Sequence, residues 1–214
     1  MIDRHKVFIS YCHKDEQYYK DYLVEMQRFN PEKGTLESIF DDYSVGDGDI
    51  DDTNMTDEQI RVEIRKKFIK EATVMILLCG PHTKERKHID WEIHAAMYPS
   101  DENKKMGIIV INVPSIYQSC RASTESERSI INPWGNWTSY NTRREYEDNY
   151  TYMPSRIIDN FVKGVPITVV DWDRIVSNPN DLMILIDNAF KRRDTIKYDH
   201  SAPLKARNSP AGIK

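Results

Sequence analysis

Apolar residues arrive along this chain in short dense runs, separated by longer stretches in which they recur at helical spacing. Residues 6–11 (KVFISY), 73–79 (TVMILLC), 106–113 (MGIIVINV) and 166–171 (PITVVD) are runs of strand length. Because they are continuous rather than alternating, they predict strands covered on both faces. Residues 36–40 form a fainter run that ends at Asp41-Asp42. Between the runs, Tyr19, Tyr22, Leu23, Met26 and Phe29 share one helical stripe over 15–29, with Asp15 as its cap and Pro31 and Gly34 as its breakers. Ile60, Ile64 and Phe68 predict a second helix after Thr56, residues 86–98 a third, and 181–193 a last one with Leu182, Leu185, Ile186 and Ala189 inward. Residues 43–54 are acidic, glycine-bearing and poor in apolar side chains, which predicts a loop.

Strands that alternate with helices predict an α/β domain: a doubly wound, parallel, five-stranded sheet with helices on both faces. One long insertion, about 114–164, precedes the last strand. It is polar and aromatic, with Trp134, Trp137, Tyr140, Tyr146, Tyr150 and Tyr152, and reads either as a lid over a site or as packing. The domain spans 1–199. Residues 200–214, with two prolines, a glycine and basic residues, read as a flexible tail.

Composition narrows the partners. A formal net charge of -4 and a pI near 5.9 give no overall field to recruit nucleic acid or an anionic membrane. Residues 73–78, the most apolar stretch, are too few to span a bilayer, and the amino end has no run of signal-peptide length. Three scattered cysteines, Cys12, Cys79 and Cys120, do not make a disulfide framework and point to the reducing cytoplasm. Three Asn-X-Thr triplets, at Asn54, Asn136 and Asn149, are then chance matches.

In an open parallel sheet, ligands bind beyond the carboxyl ends of the strands. That rule selects Ser10-Tyr11, Asp41-Asp42, residues 79–83 and the helix that follows. At about 100° per residue, Ile89, Ile93, Ala96 and Met97 face the sheet and Glu92 falls on their flank, near a helix amino end whose dipole favours an ionised carboxylate. Trp91 falls on the opposite side. The same position is also that of an ordinary surface charge. Asp47, Asp49, Asp51 and Glu58 sit at calcium-loop spacing, but Asp52 stands where that loop needs glycine; a solvated acidic loop explains the same residues. His82, His88 and His94 are six apart and share no helix face, no Cys-x-x-Cys or His-Glu-x-x-His pattern marks a metal, and neither a glycine-rich phosphate loop nor a nucleophile elbow occurs.

Residues 7–11 (VFISY), the acidic helix start at Asp15, Phe40-Asp41-Asp42, the strand at 74–78, Pro81-His82-Thr83 and residues 88–93 (HIDWEI) together resemble the TIR domain. Within that family they resemble the NAD-processing, ThsB-type branch of bacterial Thoeris anti-phage defence. The resemblance covers about 5–112 and returns at 166–193. It implies the flavodoxin-like TIR fold, with Glu92 as the catalytic carboxylate and Phe8, Ser10, Tyr11, Asp41, Cys79, His88 and Trp91 around NAD. His88 stands where many relatives carry tryptophan. The implied activity is an NAD glycohydrolase or ADP-ribosyl cyclase, with NAD as substrate and no separate cofactor or metal. The implied partners are further copies of the chain and an effector protein reached by a diffusible cyclic nucleotide. Two other classes fit the pattern: a TIR scaffold that signals by assembly alone, and a nucleoside deoxyribosyltransferase-like enzyme. A phosphoacceptor receiver domain shares the architecture, but it needs an acidic pair after the first strand, where this chain has Ser10-Tyr11.

Overall fold

The fold comes from a computed structural model, which describes residues 4–44, 56, 59, 62–63, 70–98, 104–135 and 137–208. The acidic loop through Asp47, Asp49, Asp51 and Glu58 and the helix expected at Ile60, Ile64 and Phe68 lie outside the described residues.

Five parallel strands form the main sheet. They are β1 (Lys6–Ser10), β4 (Asp41–Asp42), β5 (Val74–Cys79), β6 (Gly107–Asn112) and β7 (Thr168–Asp171), in the order β4-β1-β5-β6-β7. The chain passes from β1 outward to β4, then returns across β1 to add β5, β6 and β7. This is the flavodoxin-like order, whose switch point lies between the first strand and its neighbour on the far side, here β5. All six residues of β5 and all six of β6 are buried, as their unbroken apolar runs predicted.

Two cores follow from the alternation of side chains along each strand. Val7, Ile9, Ile76, Leu78, Ile109 and Ile111 meet α1 (His13–Glu25) and α7 (Pro179–Arg192) on one face. Phe8, Met75, Leu77, Ile108, Val110 and Val169 face the other side, where α2 (Lys87–Met97) and α5 (Ser155–Val162) lie. Three shorter helices complete the described set: α3 (Glu125–Ile131), α4 (Arg143–Asn149) and α6 (Trp172–Ser177).

Three expectations change. Residues 36–40 do not form a strand of the main sheet. Thr35–Ser38 (β3) instead pairs antiparallel with Gln27–Asn30 (β2) around a turn that closes at Gly34, whose φ of 67° suits a residue without Cβ. This local hairpin takes the end of the expected first helix, which stops at Glu25, and it leaves Phe29 and Leu36 exposed as cross-strand partners. Part of the insertion packs: Tyr146, Tyr150 and Phe161 meet at tilted ring angles in the second core, and α5 buries five of its eight residues there. The tail is not frayed through 208, as its contacts with α2 show below.

Gly107, at the start of β6, lies against the backbone of α7. A Cβ there would sit 2.1 Å from the Ala189 carbonyl oxygen, which cannot swing away as a side chain would. Gly107→Ala is expected to cost about 1–3 kcal/mol, the usual range for forced overpacking, read as a lower urea midpoint at unchanged slope.

Candidate active site

The chain leaves β1 after Ser10 and β5 after Cys79, and the helices that follow turn to opposite faces. The crevice opens between these two exits. The first is shaped by the start of α1, where the Cys12 carbonyl accepts from both Asp15 and Glu16 N–H groups. The second is held by Thr83, fully buried in a single 3-10 turn, Thr83–Glu85. Its hydroxyl accepts from the Gly80 N–H at 2.7 Å and donates to the Leu78 carbonyl at 3.3 Å. That turn sets the direction of α2, and α2 carries Glu92 over the end of β1.

There the Ser10 hydroxyl donates to Glu92 Oε2 at 2.6 Å. Burial by the crevice walls pushes the Glu92 carboxyl up to about 7, and the Ser10 hydrogen bond pulls it part of the way back. The shift is opposite to the one a helix dipole would give: Glu92 is the sixth residue of α2, beyond the first turn where the dipole acts, so desolvation wins. The residue as a whole is half-buried, beside a fully buried Ser10.

A second carboxylate lies at the same end of the sheet. Glu16 is fully buried; Oε2 accepts the Cys12 backbone N–H, while Oε1 has no hydrogen-bond partner among the described residues. Its carboxyl is also pushed up to about 7, by desolvation first. Gly80 makes room for it, since a Cβ at 80 would stand 2.1 Å from Oε1. No sequence signal marked Glu16, which reads as one more charge in an acidic first turn.

The other expected residues divide. Phe8 and Cys79 share the Ser10 face, Phe8 as core and Cys79 at the strand end. The Cys79 thiol donates to the Tyr152 carbonyl at 3.4 Å and receives the Gln118 amide at 3.3 Å. Burial pushes it up to about 12, so it stays neutral. Tyr11 turns to the opposite face, stacks on His13 and donates to Gln17 at 2.9 Å. Asp41 is not brought to the crevice: it pairs in register with Lys6, four residues and about 13 Å before Ser10, and ion-pairs with Arg4 at 2.6 Å.

His88 and Trp91 stack on each other, and Trp91 is buried. The chain's own tail reaches Trp91. Its indole N–H donates to the Lys205 carbonyl at 2.9 Å. Beside it, Asp90 holds Arg156 through two hydrogen bonds, at 2.9 and 3.1 Å, and accepts the Lys205 N–H at 2.9 Å. The Lys87 N–H, one of the donors at the α2 amino end, donates to Asn208 Oδ1 at 2.8 Å.

Residues 8–118, just over half of the chain, match the family model described as the Thoeris protein ThsB, TIR-like domain. The chain belongs to this ThsB TIR-like family. No curated protein matches it. The matched span takes in β1 from Phe8 onward, the 3-10 turn, α2 and β6, and so both Ser10 and Glu92; most of the insertion and β7 lie beyond it. Among the described residues, no three His, Cys, Asp or Glu side chains converge on a point that could hold a metal, and no helix is long and apolar enough to cross a membrane.

Two outcomes are expected in this ThsB-type TIR site. Glu92 takes up a proton on folding, so its contribution to stability is greatest below its unfolded pKa near 4.5. That contribution falls as pH rises toward 7, then levels. Glu92→Gln should thus be more stable than the parent at pH 8 by about 2 kcal/mol, after discounting for water access, with little difference at pH 4.5; urea melts at both pH values read this. Arg156→Met should cost about 3–5 kcal/mol, because the half-buried Asp90 loses its cation. Adding Asp90→Leu should recover part of that loss in a double-mutant cycle.

Proposed function

We propose that the chain cleaves the bond between nicotinamide and ribose in NAD, with Glu92 as the catalytic carboxylate. The observation that carries this reading is the Glu92–Ser10 pair at the switch-point crevice of a ThsB-type TIR domain. Nicotinamide is attached as a cation and leaves neutral. The electron pair of the breaking C–N bond moves to the ring nitrogen, so no general acid is required. The positive charge passes to the ribose, which becomes oxocarbenium-like as in glycoside hydrolysis. An ionised carboxylate beside the sugar offsets that charge and holds its hydroxyls. The hydrogen bond now made to Ser10 keeps the Glu92 carboxyl oriented until a ribose hydroxyl replaces or joins it.

A crevice that raises the Glu92 pKa also strengthens the field of the anion once formed, because water does not screen it as bulk solvent would. The reactive form is the carboxylate, so turnover should rise with pH through about 7. The ribosyl cation is then captured either by water, to give ADP-ribose, or by a hydroxyl of the same molecule, to give a cyclic isomer, with loss of one proton from the attacking oxygen in either case. The cyclic product suits a diffusible signal that activates a separate effector protein in anti-phage defence. Assembly of several copies in the cytoplasm belongs to the same reading.

Incubation with NAD and chromatographic separation should give nicotinamide and a cyclic ADP-ribose isomer, and Glu92→Ala should lower the rate at least about 100-fold. Ser10→Ala should move the ascending limb of the pH profile upward, since Ser10 lowers the Glu92 pKa. Nicotinamide release that survives Glu92→Ala would refute the assignment. ADP-ribose as sole product would refute cyclisation alone. A protein that leaves NAD intact at high concentration would favour the assembly scaffold.

A further inference from the structure

We propose that the recess at the carboxyl ends of β6 and β7 is a nucleoside subsite that takes the adenosine end of the dinucleotide; this rests on the NAD reading above. The register of the sheet sets it up. Cys79 pairs with Asn112, and Asn112 with Asp171, so the last residues of β5, β6 and β7 stand in one row. They follow Leu77, Val110 and Val169 by two positions each, which puts their side chains on the face where Glu92 meets Ser10. Gln118 and Asn112 join the row: the Gln118 amide donates to Cys79 Sγ at 3.3 Å and to Asn112 Oδ1 at 2.7 Å, and Asn112 Nδ2 donates to Asp171 Oδ1 at 2.9 Å. A polar row, buried beneath the Tyr152 main chain that accepts from Cys79 and donates to Gln118, thus runs from the Glu92 side of the sheet to Asp171. From β1 to β7 it crosses three strand spacings, about 14 Å in all.

At its far end lies a cavity of about 240 Å³. Pockets that engulf drug-sized ligands run from about 300 to 1,000 Å³, so this one fits one half of a dinucleotide rather than the whole. Asp171, Asn132, Ser119 and Tyr140 offer acceptors and hydroxyls, and Trp137 a ring face. Arg128 lies over Trp137 at 5.7 Å from the ring centroid and steadies it from outside the cavity. Tyr117, also in the wall, is 95% exposed and open to a flat ring, and Trp134 nearby is 94% exposed. No lysine or arginine is among the described lining residues, while Asp171 brings a carboxylate. Such a cavity repels phosphate and accepts a neutral, donor-rich group. A ribose diol and an adenine amino group meet that requirement; the pyrophosphate would cross over the Tyr152 segment that covers the buried row. The recess falls outside the span matched by the family model, apart from Tyr117 and Gln118.

The test is titration of the full chain with adenosine, followed by tryptophan fluorescence and calorimetry. Saturable binding is expected. It should weaken at least tenfold in Asp171→Asn and in Trp137→Ala, and should be unchanged in Glu92→Ala and unaffected by inorganic phosphate. In turnover, Asp171→Asn should raise KM for NAD at least tenfold while leaving KM for nicotinamide mononucleotide, which lacks the adenosine end, where it was. No heat with millimolar adenosine, competition by phosphate, or an NAD-to-mononucleotide preference untouched by both variants would overturn the subsite. A parent protein that binds adenosine as described but releases no nicotinamide would overturn the catalytic reading and leave the nucleoside site standing.

Discussion

A parallel strand covered on both faces has no lateral place for a polar side chain. In β5 and β6 this constraint is complete, with six buried residues in each. Polar chemistry can enter such strands only where the apolar covering ends, at the carboxyl termini, and there Cys79 and Asn112 occur. Ser10 and Asp171 do the same for β1 and β7. The site is thus less a pocket carved into the fold than the rim at which hydrophobic saturation stops. Each rim group is then satisfied: Ser10 by Glu92, Cys79 by Tyr152 and Gln118, Asn112 by Asp171 and Gln118.

Two desolvated carboxyls at one rim, Glu92 and Glu16, carry a cost that the apolar sheet offsets. Both are pushed toward neutrality by desolvation. Glu16 is sealed and shapes the turn after β1 through the Cys12 N–H and the absent side chain at Gly80. Glu92 as a residue is half-buried. They differ in burial as residues although desolvation raises both carboxyls to about 7. Glu16 serves as a strut for the wall that Glu92 faces.

The strand runs were legible because saturation of both faces leaves an unmistakable apolar block in the sequence. The position of Glu92 was legible for a related reason: Ile89, Ile93, Ala96 and Met97 fix which side of α2 faces inward. Features that depend on distant partners were not legible. The hairpin of β2 and β3 wins over helix because Phe29 and Leu36 pair locally, a competition that helical periodicity does not register. Asp41 was misplaced because a two-residue edge strand has no apolar run to reveal its register. Trp91 looked exposed because its cover lies 114 residues further on. Gln118, Asn112 and Asp171 are unremarkable amides and an acid until the sheet aligns them.

That last separation in sequence has a temporal side. The α2 amino end and Trp91 are held by residues 205 and 208, so the strap is made more than a hundred residues after the helix. At about 5–20 residues per second of synthesis, the helix waits on the order of ten seconds for its clamp. Through that interval the Lys87 N–H and the indole lack the partners that fix them in the finished chain. Until residues 205–208 have been made, the chain holds the Glu92 helix without the brace behind it.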